Sequence, residues 1–226
     1  MKKFWEDSLQ PNLPKIAHML LERVTMRLEE YHAMVMAWEK GGDRIVDSAS
    51  LYRAAIEPHE QNKHFHRIDS LIDTARDCLE WLAINDPMTV SNWCNHFIHS
   101  DLPLLRRLAI HITNARQDLS ADDKMAWLLE HFHVNEYPAH HEIFRMAACV
   151  YPQASSQQRK KLIPAIYRRF SSDDHLSFPV ESFNWFSWLH KADPSCNLVK
   201  KEFDNIKAQN PEWKPREHPD FTIYCQ

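Results

Sequence analysis

Two glycines, Gly41 and Gly42, are all that the 226 residues contain, and they are adjacent. Phosphate-cradling loops, dinucleotide folds and two-residue hairpins need glycine where the backbone takes a positive φ or approaches a ligand closely. The scarcity excludes a P-loop and a Rossmann fingerprint. Long apolar runs are missing too, since no stretch reaches the roughly 18 consecutive apolar residues of a membrane-spanning helix. Met1-Lys2-Lys3 leads into Phe4-Trp5-Glu6-Asp7 rather than an apolar run, so no signal peptide is expected. The five cysteines, at 78, 94, 149, 196 and 225, are odd in number and form no Cys-x-x-Cys pair. A reducing, cytoplasmic setting fits them better than a disulfide framework. Cys78, Cys94 and Cys149 fall in apolar helical patterns, where cysteine behaves as a small hydrophobe, and burial is expected for Cys149 beside Val150. An excess of positive charge is also lacking. The net charge is -4 with histidine neutral, which speaks against a dedicated nucleic-acid binder.

What the chain does contain is helical rhythm. Hydrophobic residues make up 44% and charged residues 26%, so disorder is excluded as the general state. Leu13, Ile16, Leu20, Val24, Leu28, Tyr31, Val35 and Trp38 are spaced three or four apart and predict one long helix with Pro14 in its first turn, stopped by Gly41-Gly42. Ser48 or Ser50 is placed to cap a short helix ending before Pro58, followed by an exposed polar loop from Glu57 to His64. Ile68, Leu71, Ile72, Ala75, Leu79 and Leu82 resume the helical period up to Asn85. Later helices are expected to open at Pro87, at Ser100 or Asp101 with Pro103, at Ser120, at Pro138, at Ser155, after Ser171 and at Asp193-Pro194.

Start signals recur about every 16 to 20 residues, so a helical hairpin occupies nearly 40, the period of HEAT and armadillo solenoids. The expected class is therefore all-α, with antiparallel hairpins stacked as a solenoid; a compact helical bundle is the alternative. The segments are a long helix and hairpin region over 1–85, helical repeats over 86–209 and a proline-rich extended tail over 210–226, together forming one continuous domain. In the tail Pro211, Pro215 and Pro219 disfavour helix. Trp213, Phe221 and Tyr224 supply apolar surface, either to cover the terminal helices or to meet a partner.

No constellation reaches the standard of a catalytic motif. His131 and His133 are two apart and point to different sides of a helix. Arg145 stands where a second ligand to pair with His141 would be needed, so His131, His133, His140 and His141 give no recognised metal set. His59, His64 and His66 fare no better. No G-x-S-x-G elbow exists. Asp122-Asp123 and Asp173-Asp174 sit at expected helix starts, where the helix dipole accounts for them. Phe183, Trp185, Phe186 and Trp188 occupy much of a helix circumference, which reads as core rather than as a base-stacking platform. Arg106, Arg107, Lys160, Lys161, Arg168 and Arg169 are the cations a nucleic-acid reading would use, although charged pairs on helices are usually the solvated face. No catalytic, cofactor or metal residue is assigned.

Three stretches carry a resemblance: Arg53-Ala-Ala-Ile-Glu-Pro-His-Glu-Gln61, the 101–116 helix with its following Ser-Ala-Asp-Asp123, and Glu217-His-Pro-Asp-Phe221. Together they resemble the helical-repeat regions of large bacterial antiphage-defence proteins, including STAND-type ATPases of the Avs class and sirtuin-associated defence proteins. The resemblance implies repeats that sense a phage component or support assembly with another defence subunit, with effector and nucleotide-binding modules elsewhere. No module of either kind is present here. The function expected is thus a non-catalytic protein-interaction domain in antiviral defence. The alternatives are a helical nucleic-acid-binding module and, third, a metal-dependent hydrolase using the 131–141 histidines.

Overall fold

The structure, a computed structural model, describes residues 5–38, 53–62, 68–168 and 178–221. Their regular structure is helical: nine α-helices and no strand among the described residues. The helices are α1 (Leu13–Trp38), α2 (Asp69–Asn85), α3 (Pro87–Ile98), α4 (Pro103–Ala115), α5 (Ala121–His131), α6 (His140–Val150), α7 (Ser156–Ile166), α8 (Phe178–Ala192) and α9 (Asn197–Gln209). A short π-helix and a 3₁₀ turn, Trp5–Leu9 and Gln10–Asn12, lead into α1. No helix among the described residues is long and apolar enough to cross a membrane.

The chain divides into two compact units, Met1–Asp118 and Leu119–Gln226. This division differs from the 1–85, 86–209 and 210–226 segments drawn on the sequence, because α3 and α4 pack on α2. In the first unit α1 also packs on α2, and α3 on α4. The buried stripe of α1 runs Leu13, Ala17, Leu21, Val24 and Leu28. It sits one residue off the Ile16 and Leu20 positions of the apolar spacing, and Tyr31 is exposed. Residues 53–57 are not helical, so the expected short helix does not reach Pro58; its beginning at Ser48 or Ser50 lies outside the described residues.

Local start signals act as their chemistry requires. Asp86 caps α3, its carboxylate accepting from the Thr89 N–H, with Pro87 next in line. Ser120 and Asp123 form a reciprocal capping box at α5. At α7 the Ser155 hydroxyl accepts from Gln158 N–H, but the Gln158 side-chain oxygen does not return the bond. Ser100 and Asp101 precede the true cap of α4, which is Leu102, and the Ser100 hydroxyl accepts the Leu102 N–H. Pro138 likewise lies two residues before α6. Asp193 forms a turn with Ser195 ahead of α9, which opens at Asn197. The Ser171 start lies outside the described residues.

In the second unit α5 packs on α6 and α7, and α8 packs on α6 and α9. From Ser182 to Leu189, α8 is buried at every position except Trp188, which is half-buried. Trp185 stacks at 3.5 Å on Phe144, and Phe183 stacks at 4.9 Å on Phe203. Aromatic groups on all sides of one helix bury area in several directions at once, which makes α8 the centre of this unit's core.

Candidate functional site: a strap held by arginines and the cavity beside it

A buried irregular segment has no helical partner for its polar backbone groups, and each one left unmet carries a desolvation cost. Residues 53–62 are such a segment. Arg53, Ala55, Ile56 and Glu57 are buried without belonging to any helix. The carbonyls of all five residues from 53 to 57 are met by side chains. Arg107 on α4 donates through Nη1 to Arg53 O at 2.6 Å and through Nη2 to Ala54 O at 2.9 Å. Arg53 turns back to donate to Ala55 O and Ile56 O, and Arg76 on α2 also donates to Ile56 O. Asn62 closes the loop by donating to Ala55 O and Glu57 O while accepting the Ala55 N–H. A guanidinium offers five N–H donors in a fixed plane, so three arginines hold this strap where no lysine could.

Helix α2 supplies the balancing charge. Asp69, Asp73, Arg76, Asp77 and Glu80 fall on one helical stripe facing the strap. Arg53 reaches Asp73 at 2.6 Å and Asp69 at 3.5 Å, and Arg76 reaches Asp73 at 2.7 Å and Asp77 at 2.6 Å. His111 of α4 meets Glu80 at 2.8 Å and lies 3.8 Å from Glu57. Burial pushes the Asp77 carboxyl above its ordinary value, against the pull of Arg76. Burial also pushes Glu80 up, but the His111 hydrogen bond and charge, with Arg76, outweigh it and hold that carboxyl below its ordinary value. Beside this knot lies a cavity of about 420 Å³ between Gln10 and Leu13 at the entry to α1, Pro58 of the strap, and Arg76, Asp77, Glu80, Trp81 and Ile84 of α2.

The second unit has its own strap. The tail from Asn210 to Phe221 folds back on α6 and α8. Trp213 meets Phe183 edge-on at 5.9 Å, and the Arg216 N–H donates to Asn184 Oδ1 at 3.0 Å. Lys207 donates to the carbonyls of Pro211 and Trp213. His140 Nε2 lies 2.9 Å from Pro219 O, His141 Nδ1 lies 2.9 Å from Asp220 Oδ2, and Phe221 stacks on the His141 ring at 4.3 Å. Burial above all lowers the His140 imidazole below its ordinary value. Nearby, Cys196 caps α9 with its sulfur 3.3 Å from the Tyr151 hydroxyl. Burial raises that thiol, but Tyr151, the N–H groups of Val199 and Leu198, and Arg159 together bring it below its ordinary value.

The sequence-selected residues scatter among these features. Arg107 is a strap anchor with 1% exposure, so it offers nothing to a phosphate. Arg106 is half-buried and donates to Ile98 O. Lys160, Lys161 and Arg168 are exposed, and Arg169 lies outside the described residues. Phe221 is buried and Trp213 half-buried, both within the second unit, while Tyr224 is not among the described residues. His140 and His141 face the tail, His131 packs edge-on against Trp127, and His133 is exposed. No group of three or more side chains placed to hold a metal occurs among the described residues. Cys149, expected in the core, is exposed: it falls one turn from the exposed Arg145 on α6, across the helix from Phe144 and Ala147. The strap was missed because a charged stripe on α2 reads as a solvated face unless something is known to cover it. No known family, curated protein or solved structure matches the chain.

Proposed function

We propose that the chain is a non-catalytic helical-repeat interaction module, a sensor or scaffold, working in bacterial antiphage defence. The observation that carries the interaction reading is a line of methionines on α1. Met19, Met26 and Met34 are 59%, 42% and 72% exposed and follow one another at seven and eight residues. That spacing aligns them along one side of the helix, opposite the buried stripe. Single exposed apolar residues are ordinary, but a row of flexible, polarisable thioethers is what adaptable binding surfaces use. Glu22, Arg23, Arg27 and Glu30 are exposed among them and supply a polar rim.

The repeat architecture, stacked hairpins of the HEAT or armadillo kind, is supported by the packing of successive helices in pairs, α1 on α2, α3 on α4 and α8 on α9. The defence assignment rests on the three resembling stretches. All three are strap elements: Arg53–Gln61 is the first strap, the 101–116 helix carries its anchor Arg107, and Glu217–Phe221 closes the second. The likeness thus lies in how the fold is held rather than in a reaction.

The test is photo-crosslinking in cells under phage challenge, with a benzophenone amino acid at position 19, 26 or 34. A discrete crosslinked partner that appears on infection is expected, together with protection that is lost in Met19→Glu/Met26→Glu/Met34→Glu while helicity is kept. Protection that survives the triple substitution, or no protection from the unaltered protein, overturns the reading.

A further inference from the structure

We propose that the cavity beside the first strap binds an alkyl-ammonium or alkyl-guanidinium group. The walls make this choice. A volume of about 420 Å³ is that of a small-ligand pocket rather than of a few waters. Leu13, Pro58 and Ile84 present apolar surface suited to a hydrocarbon stem, and Trp81 adds an indole, the ring type that best receives a cation.

The charged capacity of the cavity is one-sided. Arg76 is the cationic group in the wall, and its guanidinium is spent on Asp73, Asp77 and Ile56 O. The acceptors are not spent. Arg76 bonds one oxygen of Asp77, and His111 bonds one oxygen of Glu80. Among the described residues the other oxygen of each carboxylate takes no hydrogen bond. A ligand that brings N–H donors and positive charge therefore meets these open oxygens, while the Gln10 amide and the Trp81 indole N–H are the neutral donors of the wall. The nitrogen goes to Asp77 and Glu80, one turn apart on α2, and the stem lies along Trp81 and Ile84. The outward methionines of α1 play no part in this site.

The chemistry has two sources, a free diamine or polyamine and the side chain of a lysine or arginine in another protein. Calorimetric titration of the full chain separates them, using 1,5-diaminopentane, a lysine blocked as acetyl-lysine methylamide, and 1-pentanol as the uncharged control. One-site saturable binding of the diamine alone identifies a free amine, and binding of the blocked lysine identifies a side chain. Pentanol should not bind. Asp77→Asn with Glu80→Gln should weaken the bound amine at least tenfold. Ile84→Lys should do the same from a position 75% exposed, where the substitution leaves the core intact. Failure of both amines to saturate at millimolar concentration overturns the proposal, and so does binding that Ile84→Lys leaves unchanged or that pentanol matches.

Discussion

The two units each draw an irregular segment across helices, and they hold it by different forces. In the first, the 53–62 strap is tied by hydrogen bonds from Arg53, Arg76, Arg107 and Asn62 to five consecutive carbonyls. In the second, the 210–221 tail lies on rings, with Phe221 on His141 and Trp213 against Phe183, and side chains meet scattered rather than consecutive carbonyls, those of Pro211, Trp213, Pro219 and Phe221. The difference follows from burial. The strap is buried over most of 53–57 and must replace water at every carbonyl, whereas Pro211, Glu212, Lys214, Arg216 and Glu217 leave much of the tail in solvent. Directional bonds are needed where the backbone is dry, and side-chain area suffices where it is wet.

If the second unit rests on area, its largest loss should come from Trp185→Ala. Removing a fully buried indole that stacks on Phe144 should cost about 3–5 kcal/mol in urea unfolding. Trp185→Phe should cost about 1 kcal/mol, mostly for the bond to Asn135 Oδ1. A phenylalanine variant as damaging as the alanine would show that the polar contact dominates, and the contrast between the units would fall.

If the first unit rests on directional bonds, Arg107→Ala should cost about 3 kcal/mol, because two buried carbonyls lose charged donors together. Arg107→Lys should recover little, since an ammonium on a flexible stem does not span both carbonyls as the planar fork does. Full recovery by lysine would mean that charge alone matters there.

Asp220→Asn sharpens the comparison in the tail. The residue keeps its shape but loses its charge against His141, and a cost of about 1 kcal/mol is expected. A cost near that of Arg107→Ala would make the tail a polar strap like the first.

The smallest effect concerns acid. The Glu80 carboxyl titrates below its ordinary value of 4.5, because its bond and charge pairing with His111, with Arg76, outweigh burial. A group depressed in this way stabilises the fold above its unfolded value and loses that contribution as pH falls through its folded value. Stability measured from pH 5 downward should therefore fall less steeply in Glu80→Gln than in the parent protein. Asp77, raised chiefly by burial, has the opposite sign, so Asp77→Asn should not flatten the same limb. Identical acid profiles for Glu80→Gln and the parent would remove Glu80 from the account.

Much of the helical content was legible because its causes are local. The three-four spacing from Ile68 to Leu82, the Asp86-Pro87 start and the Ser120–Asp123 box depend on residues within a turn of one another, and each acts in the structure as the spacing implies. The aromatic crowd on α8 was also readable as core, since rings on all sides of a helix have to be buried on all sides. The exact stripe of α1 was less so: Ala17 and Leu21 are buried more deeply than Ile16 and Leu20, a rotation that only the partner helix α2 selects.

The sequence by itself determined most of the helical stretches and the starts at Asp86-Pro87, Ser120 and Ser155, because capping, proline and helical period act over three or four residues. What covers each helix was decided by tertiary structure. Arg106-Arg107 looks like a solvated pair until the strap lies across α4, when one of the two becomes fully buried and ties carbonyls more than 50 residues earlier in the chain. The stripe from Asp69 to Glu80 became a partly buried network, with Asp69 and Arg76 buried, and one wall of a cavity, for the same reason. Charge at helical spacing fixes which side of a helix a group is on, but its desolvation depends on a segment far away in sequence, and no local pattern encodes that contact.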